Sequence, residues 1–559
     1  MHKYGELLRG LLEKRGIVNE AQADIFLNPD YKRDLHDPFL MRDMEKACVR
    51  LYEAIENKEK IVIYADYDCD GIPGAVILTD LFKLLNVPVE VYPHTKDFDV
   101  GVYIPQRNSE GYGLNLEAIK QFAESNVKLL ITIDLGITAV VEVAQAEVDG
   151  IDVIITDHHI PPDNLPRAFA ILNPKTDDYP EKMLCGAGVV FKFVQGFLKK
   201  YGEYFKIKEG AEKWMLDMAG LATLSDMVPL TGENRAIAYF GMKVLRKSPR
   251  PGLQKLFTNV NIDQRYVTED DIGFMITPRL NAASRMDDPM RAFELLSTND
   301  NKQAGILADH LSKINDERKI IVTGIMREAN KKLEMRDARE VVVIGDPGWH
   351  VGVLGLVAGK MCDKYKKPVF VWGKDEKDCV RGSCRSDGSV SVVELMSATR
   401  ESFVDFGGHE LAGGFTVHTE KIHFLEQALS ANFDKTKKEK VNDIEIHDVK
   451  SGLDAVNMKN WREIDKLSPF GFGNPKPIFL FEGSKIKKLK KFGKNGSGEH
   501  LELTFSDQNK ETVADSFFSG VDSFRNTLSE GLGVNLLATF DLSRFRGKEE
   551  LRLRIVDII

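Results

Sequence analysis

Four apolar runs of this chain each end at an aspartate, and this pattern constrains the fold more than any other feature. The runs IVIYA, LLITI, VIIT and LATLS are followed by strings that begin at Asp66, Asp134, Asp157 and Asp226. Short apolar runs bounded by turn signals are typical of buried strands in a parallel α/β sheet. Because the carboxyl ends of parallel strands share one edge of the sheet, residues just past different strands converge on one crevice. The sequence therefore predicts one site built from acids that lie far apart along the chain.

The side chains in these strings are of the types that bind manganese or magnesium. Carboxylate oxygens with one or two imidazoles, and no thiolates, suit Mn²⁺ or Mg²⁺ rather than structural zinc. Asp66, Asp68 and Asp70 occupy alternate positions, so an extended backbone would send all three to one side. Their mutual repulsion would raise each pKa, and bound cations would remove that cost. Two ions roughly 3.5 to 4 Å apart can activate a water and stabilise an in-line phosphoryl displacement, which predicts a two-metal phosphodiesterase.

Composition and motifs exclude several other classes of protein. The six cysteines show no paired metal spacing and no disulfide framework, which predicts a reducing, cytoplasmic compartment. No apolar run approaches transmembrane length, so we expect no association with a membrane. The net charge of −9 argues against a general nucleic-acid coat protein, because phosphate backbones are bound largely through Lys and Arg. DYDCDG imitates a calcium loop, but its twelfth position is Ile77 rather than glutamate.

The order of apolar and polar segments predicts several domains. Strands and helices alternate from 58 to 235, which predicts βαβ units and a parallel sheet with helices on both faces. Residues 290–335 contain few helix breakers and predict one long connecting helix. A smaller glycine-rich α/β unit follows. Beyond it, PIFLFEG, KIKKLKKFG and further short strands predict a closed β-barrel, for which an oligonucleotide-binding fold is the natural candidate.

Eight motifs occur in one order along the chain: DYDCDG, ITIDLG, TDHH, SDMVPLTGENR, PRLNAASRM, GDPGWHVGVLGLVAG, RGSCRS and GGHELAGG. In these motifs and their order the chain resembles the RecJ family of the DHH phosphoesterase superfamily over nearly its whole length. The resemblance implies an exonuclease specific for single-stranded DNA that releases 5′-mononucleotides in the 5′ to 3′ direction, in recombination and repair. With it we predict five segments: an N-terminal helical segment 1–57, a DHH phosphoesterase domain 58–235, a helical connector 236–338, a DHH-associated α/β domain 339–440 and an oligonucleotide-binding β-barrel 441–559.

The resemblance also implies roles for the acids and histidines. Two Mn²⁺ or Mg²⁺ ions would be held by five ligands, namely Asp68, Asp70, Asp134, His158 and Asp226. Asp134 would bridge the two ions. Asp66 and His159 would act in catalysis by positioning metal, water or the scissile phosphate. Some members of the superfamily have a histidine four residues before the equivalent of Asp68, where this chain has Tyr64, so we expect one metal site to be weaker and completed by water.

A second set of residues would recognise the DNA strand. By the resemblance, Ser383 and Arg385 of RGSCRS hold a 5′-terminal phosphate, for which the forked guanidinium is well suited. The other implied strand contacts are Arg107, Tyr112, Arg279, Arg285 and His409. Considered alone, each arginine is more often the partner in a surface ion pair than a strand contact. The implied partners are single-stranded DNA, a helicase and a single-strand-binding protein, and the expected state is a monomer.

Three other functions fit the same motifs. A DHH phosphodiesterase acting on short oligoribonucleotides or cyclic dinucleotides would prefer a substrate of a few nucleotides and would not need the barrel. A pyrophosphatase of the superfamily would have no use for arginine-rich strand contacts. A noncatalytic scaffold that binds single-stranded DNA would have a degenerate site, whereas all the expected acids are present in this sequence.

Overall fold

A computed structural model describes residues 1–92, 98–334, 336, 339–375, 377–437, 447–492, 500–507, 510–517, 528–544 and 548–559 of the chain. Contacts between residues divide the chain into two compact units. The first comprises Met1–Leu35, Pro229–Tyr239 and Asn442–Ile559, and the second His36–Val228 and Phe240–Val441. The five segments predicted from the sequence stay predictions, and their boundary at 440/441 lies outside the described residues.

The strands form three sheets. In chain order the described strands are β1 (Lys60–Ala65), β2 (Val89–Val91), β3 (Val100–Tyr103), β4 (Val127–Ile133), β5 (Asp152–Thr156), β6 (Ala170–Leu172), β7 (Val342–Gly345), β8 (Val369–Lys374), β9 (Val380–Arg385), β10 (Phe403–His409), β11 (Ala412–Val417), β12 (Val449–Lys450), β13 (Phe479–Phe492), β14 (His500–Asp507), β15 (Lys510–Phe517), β16 (Gly533–Ser543) and β17 (Glu550–Ile558).

Helices account for most of the remaining regular structure. The described α-helices are α1 (Glu6–Lys14), α2 (Glu20–Leu27), α3 (Tyr31–Asp34), α4 (Met44–Glu56), α5 (Gly71–Leu84), α6 (Leu116–Glu124), α7 (Val140–Val148), α8 (Gly186–Tyr201), α9 (Leu216–Ser225), α10 (Gly232–Leu245), α11 (Pro251–Asn259), α12 (Glu269–Asp271), α13 (Thr277–Met286), α14 (Met290–Ser297), α15 (Asn301–Leu333), α16 (Leu354–Tyr365), α17 (Val392–Ser397), α18 (Leu425–Thr436) and α19 (Met458–Asp465). Within the described ranges, no helix combines the length and the apolar character needed to cross a membrane.

The first sheet is parallel, and its register aligns the acidic strand ends. Its order is β2-β3-β1-β4-β5-β6, so β1, β4 and β5 are neighbours at its centre. The ladder continues one residue past each of these strands. Asp66 donates its N–H to the carbonyl of Ile133 at 3.1 Å, and Asp134 donates to that of Thr156 at 2.9 Å. The predicted parallel sheet is confirmed, and it places these two aspartates side by side.

A mixed sheet in the same unit has the order β10-β11-β9-β8-β7, in which only β7 and β8 pair in parallel. The predicted connecting helix is present but shorter than 290–335. Helix α14 ends at Ser297, and α15 then runs for 33 residues from Asn301. Asp300 interrupts the helix because its carboxylate caps α15, accepting from the N–H groups of Lys302 and Gln303.

The other unit contains a closed barrel of β13, β14, β15, β17 and β16. It closes because β13 pairs with both β14 and β16. PIFLFEG and KIKKLKKFG do not form two strands. They form the single 14-residue strand β13, whose register shifts between Phe481 and Ser484 and lets it bend. Helix α1 contributes Leu8 and Leu11 to the barrel's hydrophobic core, which includes Leu503 and Leu536.

Candidate active site and metal centre

Asp134 occupies the centre of the acidic cluster, and the chain gives it an unusual backbone. It follows β4 with φ of +61°, a left-handed conformation that aspartate tolerates better than most residues. The residue is 3% exposed. Gly186, the first residue of α8, faces it so closely that a Cβ there would lie 2.6 Å from the Asp134 Cβ. Glycine at 186 therefore makes room for this carboxylate.

The three aspartates of DYDCDG approach the site through a turn rather than an extended segment. Asp68 Oδ1 accepts the N–H of Asp70 at 2.8 Å, which tightens the turn into α5. Asp70 is the N-cap residue of α5. Its carboxylate accepts the N–H groups of Gly186 at 2.6 Å and Ala187 at 2.7 Å. The predicted alternation along an extended backbone is therefore wrong, because Asp68 and Asp70 are placed by the turn and by the first amides of α8.

Asp226 comes from a helix, although LATLS resembles the strand runs. These residues form the last turns of α9, and Asp226 is the residue that ends the helix. The prediction that the acid follows a strand is wrong here. The run is apolar on all sides because α9 is almost wholly buried, and a buried helix and a buried strand have the same composition.

The two histidines of TDHH face different partners. His158 Nε2 lies 3.1 Å from Asp134 Oδ1, 3.7 Å from Asp70 Oδ2 and 3.8 Å from Asp226 Oδ2. His159 Nδ1 lies 2.8 Å from Asp157 Oδ1 and 3.4 Å from the hydroxyl of Tyr112. His158 is thus surrounded by carboxylates, whereas His159 is held from behind by one buried carboxylate.

The donor atoms fit a pair of divalent cations. Ligand atoms lie within 4.8 Å of one another in three groups: Asp66, Asp68 and Asp134; Asp70, His158 and Asp226; and Asp134, His158 and His159. Asp134 belongs to two of these groups. Oδ1 of Asp66 and Oδ1 of Asp134 are buried and accept no hydrogen bond within the described residues, although His158 Nε2 lies 3.1 Å from the Asp134 oxygen. Buried carboxylate oxygens without donors are what a cation site requires.

The pKa values show the same crowding of negative charge. Burial, and then the charge of Asp68, raises the pKa of Asp70 to about 6. Burial and the charge of Asp70 raise the pKa of Asp226 to about 9. The pKa values of Asp66 and Asp134 also lie well above the ordinary range, chiefly because of burial. Burial and the neighbouring His159 lower the pKa of His158 to about 3, so its imidazole is neutral, as a metal ligand must be.

Arginines border the acidic cavity. The lining residues are Asp66, Tyr67, Asp68, Arg107, Tyr112, Asp134, His158, His159, Asp226, Asn281, Ser284 and Arg285. The Arg107 guanidinium lies 5.1 Å from the centre of the Tyr67 ring. Arg285 donates to the carbonyl of Gly352 at 3.3 Å. Burial, and then the charge of Arg107, lowers the pKa of Arg285 to about 9. One cavity is therefore lined both by carboxylates, which suit cations, and by guanidinium groups, which suit phosphate.

The remaining predicted strand contacts lie outside this lining. Ser383 and Arg385 are on β9 beside the first turn of α16, where a Cβ on Gly355 would lie 3.3 Å from Arg385 Nη2 and 3.5 Å from Ser383 Oγ. The His409 ring stacks on that of His159, with centres 6.3 Å apart. Arg279 does not reach the lining of the acidic cavity. Its Nη1 donates to the carbonyl of Met275 at 2.6 Å.

Sequence comparison identifies the family. Over 556 residues the chain is 33% identical to the single-stranded-DNA-specific exonuclease RecJ of Bacillus subtilis (strain 168), covering 99% of this chain and 67% of that protein. The chain belongs to the RecJ family. It is also 29% identical to RecJ of Haemophilus influenzae, covering 99% of this chain and 96% of that protein.

Family models and solved structures agree with RecJ membership. The DHH family N-terminal domain matches residues 60–223, the DHHA1 domain 337–435 and the RecJ OB domain 447–557. The crystal structure of RecJ in complex with Mn²⁺ from Thermus thermophilus superposes with a TM-score of 0.81 at 25% identity, covering 100% of this chain and 76% of that chain. The predicted fold class, including the oligonucleotide-binding barrel, is confirmed.

The sequence alone predicted no specific role for several residues that build the site of this RecJ-family chain, although Asp157 was among the acids expected at the strand ends. Asp157 is 1% exposed and orients His159. Tyr67, Asn281 and Ser284 line the cavity. Each of these four residues lies within a motif already recognised, DYDCDG, TDHH or PRLNAASRM. The sequence signal that could have identified these residues was therefore a polar side chain within a recognised motif.

Tyr64, the departure from the superfamily pattern, does not line the cavity. Its ring packs in a hydrophobic cluster with Phe122 and Leu130. Its hydroxyl donates to the carbonyl of Gly113 at 2.9 Å and accepts from Asn115 Nδ2 at 3.2 Å. The expected weakening of one metal site at this position stays a prediction.

Proposed function

We propose that this chain is a metal-dependent exodeoxyribonuclease that hydrolyses single-stranded DNA from the 5′ end and releases 5′-mononucleotides. The observation that carries the proposal is the cavity itself. Buried carboxylates with unpaired oxygens line one part of it, and Arg107 and Arg285 border the same space. Membership of the RecJ family, whose compared relatives are single-stranded-DNA-specific exonucleases, supports the same substrate.

Five side chains are proposed to hold two Mn²⁺ or Mg²⁺ ions: Asp68, Asp70, Asp134, His158 and Asp226. Such a pair of ions, when bound, lowers the pKa of a water and stabilises charge on the phosphoryl group. Asp134 is proposed to serve both ions because its atoms join two of the donor groups. Asp66, which lies in one donor group with Asp68 and Asp134, is proposed to orient metal, water or phosphate.

His159 is proposed to donate to an oxygen of the scissile phosphate or of the leaving group. Burial alone would lower its pKa, but the hydrogen bond with Asp157 outweighs that effect and raises the pKa. With the Asp157 carboxylate accepting the proton of Nδ1, Nε2 is the ring nitrogen proposed to act on the phosphate. Tyr112 and His409, which contact the ring of His159, are proposed to complete this side of the strand-binding groove.

The 5′-terminal phosphate is proposed to bind between Ser383, Arg385 and the first turn of α16. Helix N-termini favour anions, and Gly355 leaves the approach open. We further propose that the protein works in the cytoplasm as a monomer, with a helicase and a single-strand-binding protein as partners in recombination and repair.

The proposal is tested by digesting end-labelled single-stranded and duplex DNA with Mn²⁺ or Mg²⁺. We expect 5′-mononucleotides from the single strand, in order from the 5′ end, and little from blunt duplex. Asp134→Ala should abolish hydrolysis while the protein still folds, and Asp163→Asn, an exposed acid outside the cavity, should retain it. Hydrolysis confined to substrates of two or three nucleotides would instead indicate an oligonucleotide phosphodiesterase, and binding without hydrolysis a scaffold.

The role of Arg385 predicts a specific change in substrate preference. Arg385→Ala should lower kcat/KM on 5′-phosphorylated strands by about tenfold or more, because a charge-assisted contact is lost, and should affect 5′-hydroxyl strands much less. Single-turnover release of the first nucleotide from both strands measures this preference. An unchanged ratio between the two strands would remove the anchoring role.

A further inference from the structure

Arg318 lies on the long helix α15, outside every motif of the family and outside the lining of the acidic cavity. Its Nε is buried and has no hydrogen-bond partner among the described residues. The Nε of Arg279, on α13, is in the same condition. A buried guanidinium nitrogen without an acceptor is costly, and a functional site is one reason for such a group to persist.

The two guanidinium groups lie near each other without a counterion. Burial, and then the charge of Arg279, lowers the pKa of Arg318. The neighbouring acid is Asp316, whose charge raises the pKa of both arginines. Its carboxylate, however, is paired with Lys319 at 3.1 Å. In the described part of the chain, no carboxylate lies within ion-pair distance of Arg279 or Arg318. The described residues therefore provide this pair of arginines with no direct ion-pair partner.

Two buried amides extend the set of unpaired groups. Asn315 lies one turn before Arg318 on the same face of α15, is 0% exposed, and neither its Nδ2 nor its Oδ1 has a hydrogen-bond partner within the described residues. The Oδ1 of Asn281, on α13, is likewise unpaired there. Asn281 also lines the acidic cavity. Helices α13 and α15, which pack against each other, therefore both carry unpaired polar groups, and one of these residues lines the cavity.

Arg285 shows where this pair lies relative to the other arginines. After burial, the charges that lower its pKa are those of Arg107, Arg318 and Arg385. Among these, Arg107 also lowers the pKa of Arg385, whereas Arg318 is affected by Arg279. Arg285 is therefore near both groups of arginines. One group contains the proposed site for the 5′-terminal phosphate, and the other contains Arg279 and Arg318.

We propose that Arg318 and Arg279 form a subsite for an internal phosphate of the DNA strand, the first one on the 3′ side of the scissile bond. This inference rests on the proposed function and deepens it. With the terminal phosphate at Arg385 and the scissile phosphate at the cavity beside Arg285, Arg279 and Arg318 are the arginines near Arg285 that remain for the next phosphate along the strand. Guanidinium groups bind phosphodiester oxygens well, and the phosphate supplies the missing acceptors.

A packing role predicts a different result from a phosphate contact. Methionine keeps most of the aliphatic stem of an arginine while removing the charge. Arg318→Met should therefore retain the melting temperature if the residue only packs. If it binds phosphate, the same variant should bind the strand about tenfold more weakly, and Arg318→Lys should recover part of the loss because it restores the charge.

The deciding experiment places one neutral methylphosphonate at a defined linkage of a 5′-phosphorylated 12-nucleotide strand. Counting the terminal phosphate as the first, the scissile phosphate is the second and the proposed contact is the third. Single-turnover release of the first nucleotide in Mn²⁺ is measured against enzyme concentration. For the native enzyme, neutralising the third phosphate should raise the half-saturating concentration about tenfold. Arg318→Met should show this increase on the unmodified strand and no further increase on the modified one.

Controls separate this inference from the proposed function. Arg327→Met, an exposed arginine on the same helix, should behave as the native enzyme. Neutralising the sixth phosphate should affect the native enzyme and Arg318→Met equally. If the loss caused by Arg318→Met and the loss caused by the neutral third phosphate multiply when they are combined, Arg318 does not contact that phosphate. The same conclusion follows if the effect of Arg318→Met disappears on 5′-hydroxyl strands. If Arg318→Met matches the native enzyme, the subsite is wrong while the exonuclease stands, and if no strand is hydrolysed, both proposals fall.

Should Arg318→Met melt below the assay temperature, Arg279→Met tests the same subsite. For Arg279→Met, neutralising the third phosphate should again cause no further increase in the half-saturating enzyme concentration. If the variant and the neutral phosphate each weaken binding independently, the inference is overturned.

Discussion

At the scale of single residues, buried side chains decide how the reactive groups are presented. Asp157 Oδ1 accepts the N–H groups of His158 at 2.7 Å and His159 at 3.1 Å, and it also contacts the His159 ring. Asn173 Nδ2 donates to the carbonyl of His159 at 2.9 Å. The histidine pair is thus fixed through both its backbone and its ring, which preorganises it before any substrate arrives.

Tyr64 gives a prediction at this scale. Tyr64→Phe should lower the free energy of unfolding by about 1–2 kcal/mol, because the Gly113 carbonyl and Asn115 lose their hydroxyl partner. The Mn²⁺ concentration that gives half-maximal activity should not change. Urea unfolding and a Mn²⁺ titration of activity measure the two quantities. A shift in the metal requirement would show that Tyr64 contributes to the metal centre.

At the scale of elements, the start of α8 organises the metal centre. Its first two amides bind the Asp70 carboxylate, and its first residue leaves space for the Asp134 side chain. A helix N-terminus also stabilises negative charge. One helix therefore positions two of the proposed ligands, which themselves come from different strand ends.

Helix α8 offers a matched pair of glycines for testing this. Gly186→Ala should reduce Mn²⁺ affinity and activity by at least about tenfold, because its Cβ would lie 2.6 Å from the Asp134 Cβ. Gly188→Ala should be tolerated, since its Cβ meets nothing closer than Cys185 Sγ at 3.5 Å. Calorimetric Mn²⁺ titration and the nuclease assay compare the two. Equal behaviour of both variants would contradict the role of α8.

At the scale of the whole molecule, the stability of each unit depends on groups distant in the chain. In the larger unit the buried carboxylates destabilise the folded state when no cations are bound. Because the folded pKa values of Asp70 and Asp226 are raised to about 6 and about 9, the folded metal-free protein binds more protons than the unfolded chain. Their contribution to stability therefore falls as the pH rises through these values.

Metal binding should reverse that loss. We expect Mn²⁺ to raise the melting temperature more at pH 8 than at pH 6, because protons compete with the ions for these carboxylates and are scarcer at pH 8. Thermal melting in excess Mn²⁺ and in chelator at both pH values measures the difference. Asp226→Asn, whose side chain does not titrate, should reduce the difference between the Mn²⁺-induced rises in melting temperature at the two pH values. An equal gain from Mn²⁺ at both pH values would contradict this account.

In the smaller unit, the packing of α1 against the barrel core predicts the effect of removing the barrel. Leu8, Leu11 and Leu12 are at most 1% exposed because they pack against the barrel core. A chain of residues 1–437 would expose all three, at about 1.5–3 kcal/mol each. It should aggregate more than a chain of residues 36–437, which lacks them. Size-exclusion chromatography of the two chains tests this, and equal monomer yields would show that α1 does not need the barrel.

The sequence by itself determined the parallel sheet, the barrel and the acids at the ends of β1 and β4. Apolar runs with turn signals record local burial, and in a parallel sheet local burial is enough to align strand ends. Only the tertiary structure decided that Asp226 comes from a helix, that Asp68 and Asp70 are placed by a turn, and that Gly186 makes room for Asp134. It also brought Arg318 of α15 near Arg279 of α13. These relations depend on distances between segments far apart in the chain, which helix packing sets and which no local pattern encodes.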